Sequence, residues 1–283
     1  MRITNERKLG SDTAFNVVGV AVLVAFMISS LYPFLWAILN SFRTNDEMIL
    51  HPLRLPLKLD FGVFVEAWHR TDFNHAFLNS VVNSASAVGL VLLTGSLAAY
   101  PLARMRFFGN GFIVKFLMVS IIISGQLILI PLFYVMKGLG VYNSLLSTIL
   151  ANTAMALPIC IYLFYGFFRE IPREIEESTM IDGCNRWTFY FRFIIPLSKP
   201  ILSTVAIFVA LWSWNEYLFA LTFLKEQTIR TIPLQLQTFF GRWSTEYGLL
   251  FAALSISIVP ILAIYIAMQK AFIKGLTAGA VKI

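Results

Sequence analysis

The chain has 283 residues, of which 58% are hydrophobic and 13% are charged, and its mean hydropathy is +0.75. Soluble domains carry about 25% charged residues, so the polar side chains here are too few to cover a water-soluble fold of this size. The composition therefore excludes an ordinary soluble enzyme, a disordered chain and a collagen-like fibre, and it indicates a multi-pass membrane protein. Two cysteines are too few for a disulfide framework, and the three histidines match no metal-binding pattern.

Six stretches with few or no charges are long enough to cross a bilayer, which takes about 20 apolar residues. Their unbroken apolar runs favour helices, because the strands of membrane barrels alternate polar and apolar residues. The predicted spans cover residues 14–42, 76–103, 112–136, 144–168, 200–224 and 248–271. The sequence therefore predicts an all-α membrane protein with six transmembrane helices.

Lys and Arg are distributed unevenly between the two sets of alternate loops. The set that includes both chain termini carries almost twice as many of them as the other set. Positive side chains collect on the cytoplasmic side of membranes, so both termini are predicted to be cytoplasmic. We interpret the net charge of +7 as this topology signal, and no nucleic-acid partner is expected.

The longest connection on the cytoplasmic side, residues 169–199, has a helix–turn–helix pattern. A short amphipathic helix is predicted over 171–183, begun by Pro172, whose missing N–H is not needed in a first turn, and ended by Gly183. Asn185 is predicted to cap a second helix, over 186–195, which the next proline ends. From spacing alone, a solvated amphipathic connector explains this pattern as well as a docking helix does.

The residue types in this segment identify it more specifically than its helical periodicity does. Glu176 to Gly183 read E-E-S-T-M-I-D-G, and after nine residues Phe193 to Pro196 read F-I-I-P. This spacing resembles the EAA loop of ABC-importer permeases. The pattern of that loop is E-A-A followed after three residues by G, and then after nine further residues by I-x-L-P. The chain departs from that pattern at both alanines, which are serine and threonine here, and at two apolar positions of the second motif.

Two further stretches resemble the carbohydrate branch of that family. Residues 214–220 read W-N-E-Y-L-F-A and resemble its W-N-E-[YF] signature, and residues 275–282, G-L-T-A-G-A-V-K, are similar to the tail of the smaller permease of maltose-type importers. On these motifs, from residue 76 to the C-terminus, the chain is identified as a member of the carbohydrate-type ABC-importer permeases. The resemblance implies a type I ABC-importer permease fold.

The resemblance also implies a division of the chain and a role for the loop. Residues 1–75 would hold the N-terminal tail, first span and outer loop, 76–274 the core with coupling loop 169–199, and 275–283 a cytoplasmic tail reaching between two ATPase subunits. The coupling helix, between spans four and five, would dock in a groove of an ATPase subunit, with its acid paired to a basic residue there. The implied ATPase-coupling residues are Glu177, Ser178, Thr179, Asp182 and Gly183.

The energy for transport is expected to come from partner subunits. The sequence contains no G-x-x-x-x-G-K-[ST] loop to hold phosphates, so the chain is not expected to be an enzyme or to hold a cofactor, and ATP and Mg²⁺ would bind to the partners. The resemblance implies a homologous second permease, two ATPase subunits, an extracytoplasmic solute-binding protein and lipids as partners. The expected location is the cytoplasmic membrane of a bacterium or archaeon.

Polar residues inside the predicted spans are candidates for the translocation path. Glu216 is the only acid well inside a span, and at helical spacing it shares a small or polar face with Ser213 and Ala220. Sugars need hydrogen-bonding groups and aromatic faces, but close helix packing and interhelical hydrogen bonds explain these positions equally well. The candidates for the substrate path are Asn83, Gln126, Asn152, Asn215 and Glu216.

The function predicted from these features is uptake of a sugar or oligosaccharide. The chain would be a membrane-spanning subunit of an ATP-binding-cassette importer and would form the pathway with a homologous permease. One alternative is an ion-coupled secondary transporter that uses Glu216. Another is a membrane scaffold with no substrate path.

Overall fold

The structure, a computed structural model, describes residues 3–51, 54–56, 58–240 and 246–280, with side chains described from residue 17 to 263 outside those gaps and at Ile266. Helices joined by short turns and loops account for most of this part of the chain. In chain order they are α1 (Ile3–Asn40), α2 (Asn45–Leu50), α3 (Gly62–Arg70), α4 (Phe73–Arg104), α5 (Asn110–Ser120), α6 (Leu129–Gly138), α7 (Leu145–Glu170), α8 (Arg173–Ile181), α9 (Arg186–Phe189), α10 (Ile195–Leu197), α11 (Lys199–Trp214), α12 (Leu218–Phe223), α13 (Ile232–Gln235) and α14 (Tyr247–Ala280).

Three helices in the described part of the chain are long and apolar enough to cross a membrane by themselves. They are Val17–Asn40 within α1, the whole of α4 and the whole of α7. These helices coincide with the first, second and fourth predicted spans, and their length and composition make them candidate spans. Helix α14 covers the sixth predicted span, residues 248–271.

The third predicted span is wrong as a single helix, because it is divided into α5 and α6. Between them the chain makes turns, in which the Ile123 and Leu127 N–H groups donate to carbonyls three residues earlier. Pro131 lies in the first turn of α6. The position suits a proline, because the first N–H groups of a helix have no partner within it.

The fifth predicted span is also wrong as a single helix. Helix α11 ends at Trp214, and α12 begins at Leu218, so the W-N-E-Y stretch forms a break rather than part of a helical face. At its other end, α11 is bent by 74° from the preceding helical segment, Arg186–Leu197. Prolines at 196 and 200 lie on either side of this bend.

The second helix predicted for the coupling loop continues beyond its expected end. It was expected to stop at Pro196, but helical structure runs to Leu197 through a π-helical turn, Tyr190–Ile194, between α9 and α10. Pro196 lies just after this π-helical turn, at the start of α10.

The chain forms two compact units, of which the first contains residues 1–70 and 239–256. In it, the buried side chain of Arg43 donates to Asn40 Oδ1 at 2.9 Å and to the carbonyls of Glu47 and His51 at 2.5 and 2.7 Å. These bonds connect the end of α1 to α2. At Gly248 a Cβ atom would lie 2.3 Å from the Arg43 carbonyl oxygen, so only glycine permits this close approach.

The second unit contains residues 71–238 and 257–283. Helix α4 packs along α7 and α11 around an apolar core. Val91, Phe164, Phe168 and Val205 are fully buried in that core. This packing supports the helix breaks and the α8 segment, which lie in the same unit.

Candidate coupling helix and translocation cavity

Helix α8 is short, acidic and ended by a well-formed turn. Glu174 and Glu176 occupy its first turn, where the helix dipole favours negative charge. At its end, the Gly183 N–H donates to the Met180 carbonyl at 3.1 Å and the Cys184 N–H to the Thr179 carbonyl at 3.0 Å. Gly183 has φ of +83°, as this Schellman motif requires. The predicted glycine turn is therefore present.

Four of the five sequence-predicted coupling residues lie on the surface. The side chains of Glu177, Ser178 and Asp182 are exposed, as is Gly183. Thr179 is different, because it is 7% exposed and its hydroxyl donates to the Glu176 carbonyl at 2.9 Å. The buried Thr179 side chain packs α8 against the unit, and its part in ATPase coupling stays a prediction.

The surface around α8 also has an apolar part. Ile181 at the end of α8 is 86% exposed, and Trp187 on α9 is 65% exposed. Asn185 caps α9 as predicted, since its Oδ1 accepts from the Thr188 N–H at 2.8 Å. The segment therefore presents an acidic helix with apolar side chains beside it.

A cavity of about 660 Å³ lies where the third and fifth predicted spans are broken. Residues 120–126 from the first break and 215–219 from the second contribute to its wall, together with side chains of α7 and α11. Sequence reasoning missed two of its aromatic members, Trp212 and Tyr217. Pro131 and the W-N-E-Y stretch were the signals that mark the breaks.

Glu216 caps a helix at the edge of this cavity. Its Oε1 atom accepts from the Phe219 N–H at 2.6 Å, and its Oε2 atom accepts from the Ala220 N–H at 3.1 Å. The first N–H groups of a helix have no partner within it, and the half-buried carboxylate of Glu216 supplies acceptors for two of them. The predicted face shared with Ser213 is wrong, because the helix ends between the two residues.

The structure places the other candidates for the substrate path in different surroundings. Gln126 and Asn215 line the cavity with Glu216, whereas Asn83 and Asn152 do not. Asn83 joins three helices, since its Nδ2 donates to Ser213 Oγ at 3.0 Å and its Oδ1 accepts from Thr148 Oγ1 at 2.8 Å. Asn152 is fully buried in α7, and its amide atoms have no hydrogen-bond partner among the described residues.

Residues 91–278 match the model of a protein family described as the inner membrane component of binding-protein-dependent transport systems. The chain belongs to this family. Among curated relatives of this permease, the probable ABC transporter permease YurM of Bacillus subtilis is 35% identical over 92% of this chain and 86% of its own. The diacetylchitobiose uptake permease NgcG of Streptomyces coelicolor is 31% identical over 95% of this chain and 90% of its own.

A solved structure is similar to the permease over almost its whole length. A chain of a bacterial ABC transporter involved in import of the acidic polysaccharide alginate has a TM-score of 0.79 and 25% identity, covering 93% of this chain and 98% of that one. The permease therefore has the type I ABC-importer permease fold. It is a multi-pass inner-membrane protein and a transport component, which confirms that it is not an enzyme.

Proposed function

We propose that this permease is one of two homologous membrane subunits of an ABC importer for a sugar or oligosaccharide. The fold that it shares with a chain of the alginate importer, at a TM-score of 0.79, carries the proposal. Helices α5 and α6 together would form the third span, and α11 and α12 the fifth, which gives six spans. An even number of spans would put both termini on one side, and the distribution of Lys and Arg makes that side cytoplasmic. Transport driven by ATP needs no ion-coupled use of Glu216.

In this proposal α8 docks onto a cytoplasmic ATPase subunit. The exposed carboxylate of Glu177 pairs with a basic residue of the ATPase, and Ser178, Asp182 and Gly183 lie at the contact. The Schellman motif at Gly183 holds the end of α8 in one conformation, so a push on α8 moves the helices joined to it. Two ATPase subunits bind ATP and Mg²⁺, and this chain holds no cofactor.

The division of the chain follows the same proposal. Residues 1–75 form the first span and outer loop, 76–274 the common core and 275–283 the cytoplasmic tail between the ATPase subunits. Backbone from 275 to 280 is the end of α14, and 281–283 lie outside the described residues. An external solute-binding protein delivers the substrate to the opposite side.

The cavity at the helix breaks has the chemistry of a sugar path. Gln126 and Asn215 provide amide donors and acceptors, and Trp212 and Tyr217 provide partly exposed aromatic faces. Sugars are held by a small number of placed polar groups together with aromatic side chains. The names of the relatives, diacetylchitobiose and alginate importers, agree with a carbohydrate substrate.

Reconstitution tests the proposed function. The permease would be purified with its partner permease and copurifying ATPase subunits, placed in proteoliposomes and supplied with the binding protein and radiolabelled di- and oligosaccharides. Uptake is expected to require both ATP and binding protein and to be unaffected by a protonophore. Uptake by this chain alone that a protonophore abolishes would establish the ion-coupled alternative instead.

Asn83 and Gln126, two of the predicted substrate-path residues, should respond differently to replacement by leucine. Asn83→Leu removes the hydrogen bonds that join Asn83 to Ser213 and Thr148 on neighbouring helices. The free energy of unfolding is therefore expected to fall by at least about 0.6–1.7 kcal/mol. Gln126→Leu should leave the unfolding midpoint unchanged and raise the KM for uptake, because Gln126 is exposed in the cavity. Equal unfolding midpoints for the two variants would contradict this assignment.

A further inference from the structure

Arg104, the last residue of α4, has a buried guanidinium with incomplete hydrogen bonding. Its side chain is 2% exposed, and its Nε atom lies 3.8 Å from Oε2 of Glu176 on α8. That distance allows an ion pair but is too long for a hydrogen bond. Neither Nε nor Nη2 of Arg104 has a hydrogen-bond partner among the described residues.

Buried arginines rarely remain in this state. The guanidinium has five donors and no acceptor, and buried charges in proteins are normally both paired and hydrogen-bonded. Unsatisfied donors on a buried cation are expected to gain partners when an anionic group arrives beside them. Arg104 therefore marks a position where an anion can bind.

The space next to Arg104 is a cavity of about 390 Å³. Apart from Arg104, every residue that lines it belongs to α8. The lining residues are Arg104, Arg173, Glu176, Glu177, Met180 and Ile181. Since Glu177 and Ile181 are also exposed, the cavity adjoins the surface proposed to dock onto the ATPase.

We propose that this cavity receives a carboxylate side chain of the ATPase subunit, which pairs with Arg104. The inference rests on the proposed docking of α8. Once Glu177 is paired with a basic residue of the ATPase, Arg104 and Arg173 share one remaining acid, Glu176. A second carboxylate restores the charge balance, and a planar guanidinium binds a carboxylate through two parallel hydrogen bonds.

This contact gives the ATPase a direct connection to the second span. Arg104 ends α4, and Asn83 on the same helix is hydrogen-bonded to both α7 and α11. A force applied at Arg104 therefore reaches three helices of the bundle. Along the backbone, α8 is connected only to α7 before it and to α9 after it.

The test measures ATPase binding to the permease pair in nanodiscs, with the copurified ATPase subunits stripped off and titrated back. Arg104→Gln is expected to weaken binding at least about tenfold, because one partner of a buried charge pair is lost. Arg104→Lys keeps the charge and should lose less. Arg106→Gln is the matched control, since Arg106 is exposed, and it should bind like the wild type.

Charge reversal separates pairing from a folding defect. Arg104→Glu should abolish binding, and changing the ATPase groove acids to Lys one at a time should restore it at one position, which a misfolded permease would not allow. Normal binding by Arg104→Gln, or no rescue by any of the acid-to-Lys changes, overturns the proposal. Glu177→Gln, measured in parallel, tests the docking of α8 separately. If Glu177→Gln weakens ATPase binding and Arg104→Gln does not, only the cavity proposal fails. If Glu177→Gln binds the ATPase normally, the docking of α8 fails.

Discussion

Glu177→Lys is expected to abolish both ATPase binding and sugar uptake while leaving membrane insertion intact. The carboxylate of Glu177 is exposed on α8, so its replacement disturbs little inside the permease. At the interface it places a cation against the basic residue of the ATPase. Loss of one partner of a buried interface charge pair costs about 2–5 kcal/mol, which corresponds to an affinity at least about 30-fold weaker.

The measurement is ATPase recruitment to the purified permease pair, followed by uptake in proteoliposomes. Glu170→Lys is the control, because it makes the same charge change at an exposed position at the end of α7. It should recruit ATPase normally. Wild-type recruitment by Glu177→Lys would exclude α8 as the docking element, whatever the uptake rate.

Glu216→Ala is expected to destabilise the second unit and reduce uptake at least tenfold. The carboxylate accepts the N–H groups of Phe219 and Ala220, which start α12 without partners of their own. Hydrogen bonds to a charged group contribute about 1.5–3 kcal/mol, so the free energy of unfolding should fall by roughly that amount. Uptake should fall because the same residue lines the cavity.

Thermal unfolding in detergent and uptake in proteoliposomes check this prediction together. Glu216→Gln should give an intermediate result, since its amide oxygen can accept one N–H while its NH₂ group opposes the other. Glu226→Ala removes an exposed carboxylate that accepts from Asn143 Nδ2 at 3.1 Å, and it should change stability by less than about 0.5 kcal/mol. An unfolding midpoint for Glu216→Ala equal to the wild type would refute the capping role.

Features that depend on neighbouring residues could be predicted from the sequence. The end of α8 follows from a glycine that can adopt a positive φ, and the start of α9 follows from Asn185, whose side chain reaches an N–H three residues later. Long apolar runs likewise predicted α1, α4 and α7. Local chemistry determines each of these features, so no knowledge of the packing was needed.

The helix breaks could not be predicted from hydropathy, because straight and interrupted helices bury the same apolar residues. Pro131 was a local signal for one break, but the other depends on Glu216, whose carboxylate is satisfied only after α12 forms. Burial is similarly a property of the packed chain. Nothing in the spacing of Thr179 or Arg104 indicates that these polar side chains turn inward.

The 74° bend before α11 determines how movement is converted within the bundle. A displacement along the axis of the segment before the bend has only a small component along α11 and a large one across it. Such a displacement tilts α11 sideways instead of sliding it lengthwise. Because α11 ends at Trp214, next to the cavity wall, the tilt changes the width of the cavity. If α8 docks onto an ATPase subunit as proposed, this bend would convert a push on that side of the bundle into a change in the width of the cavity.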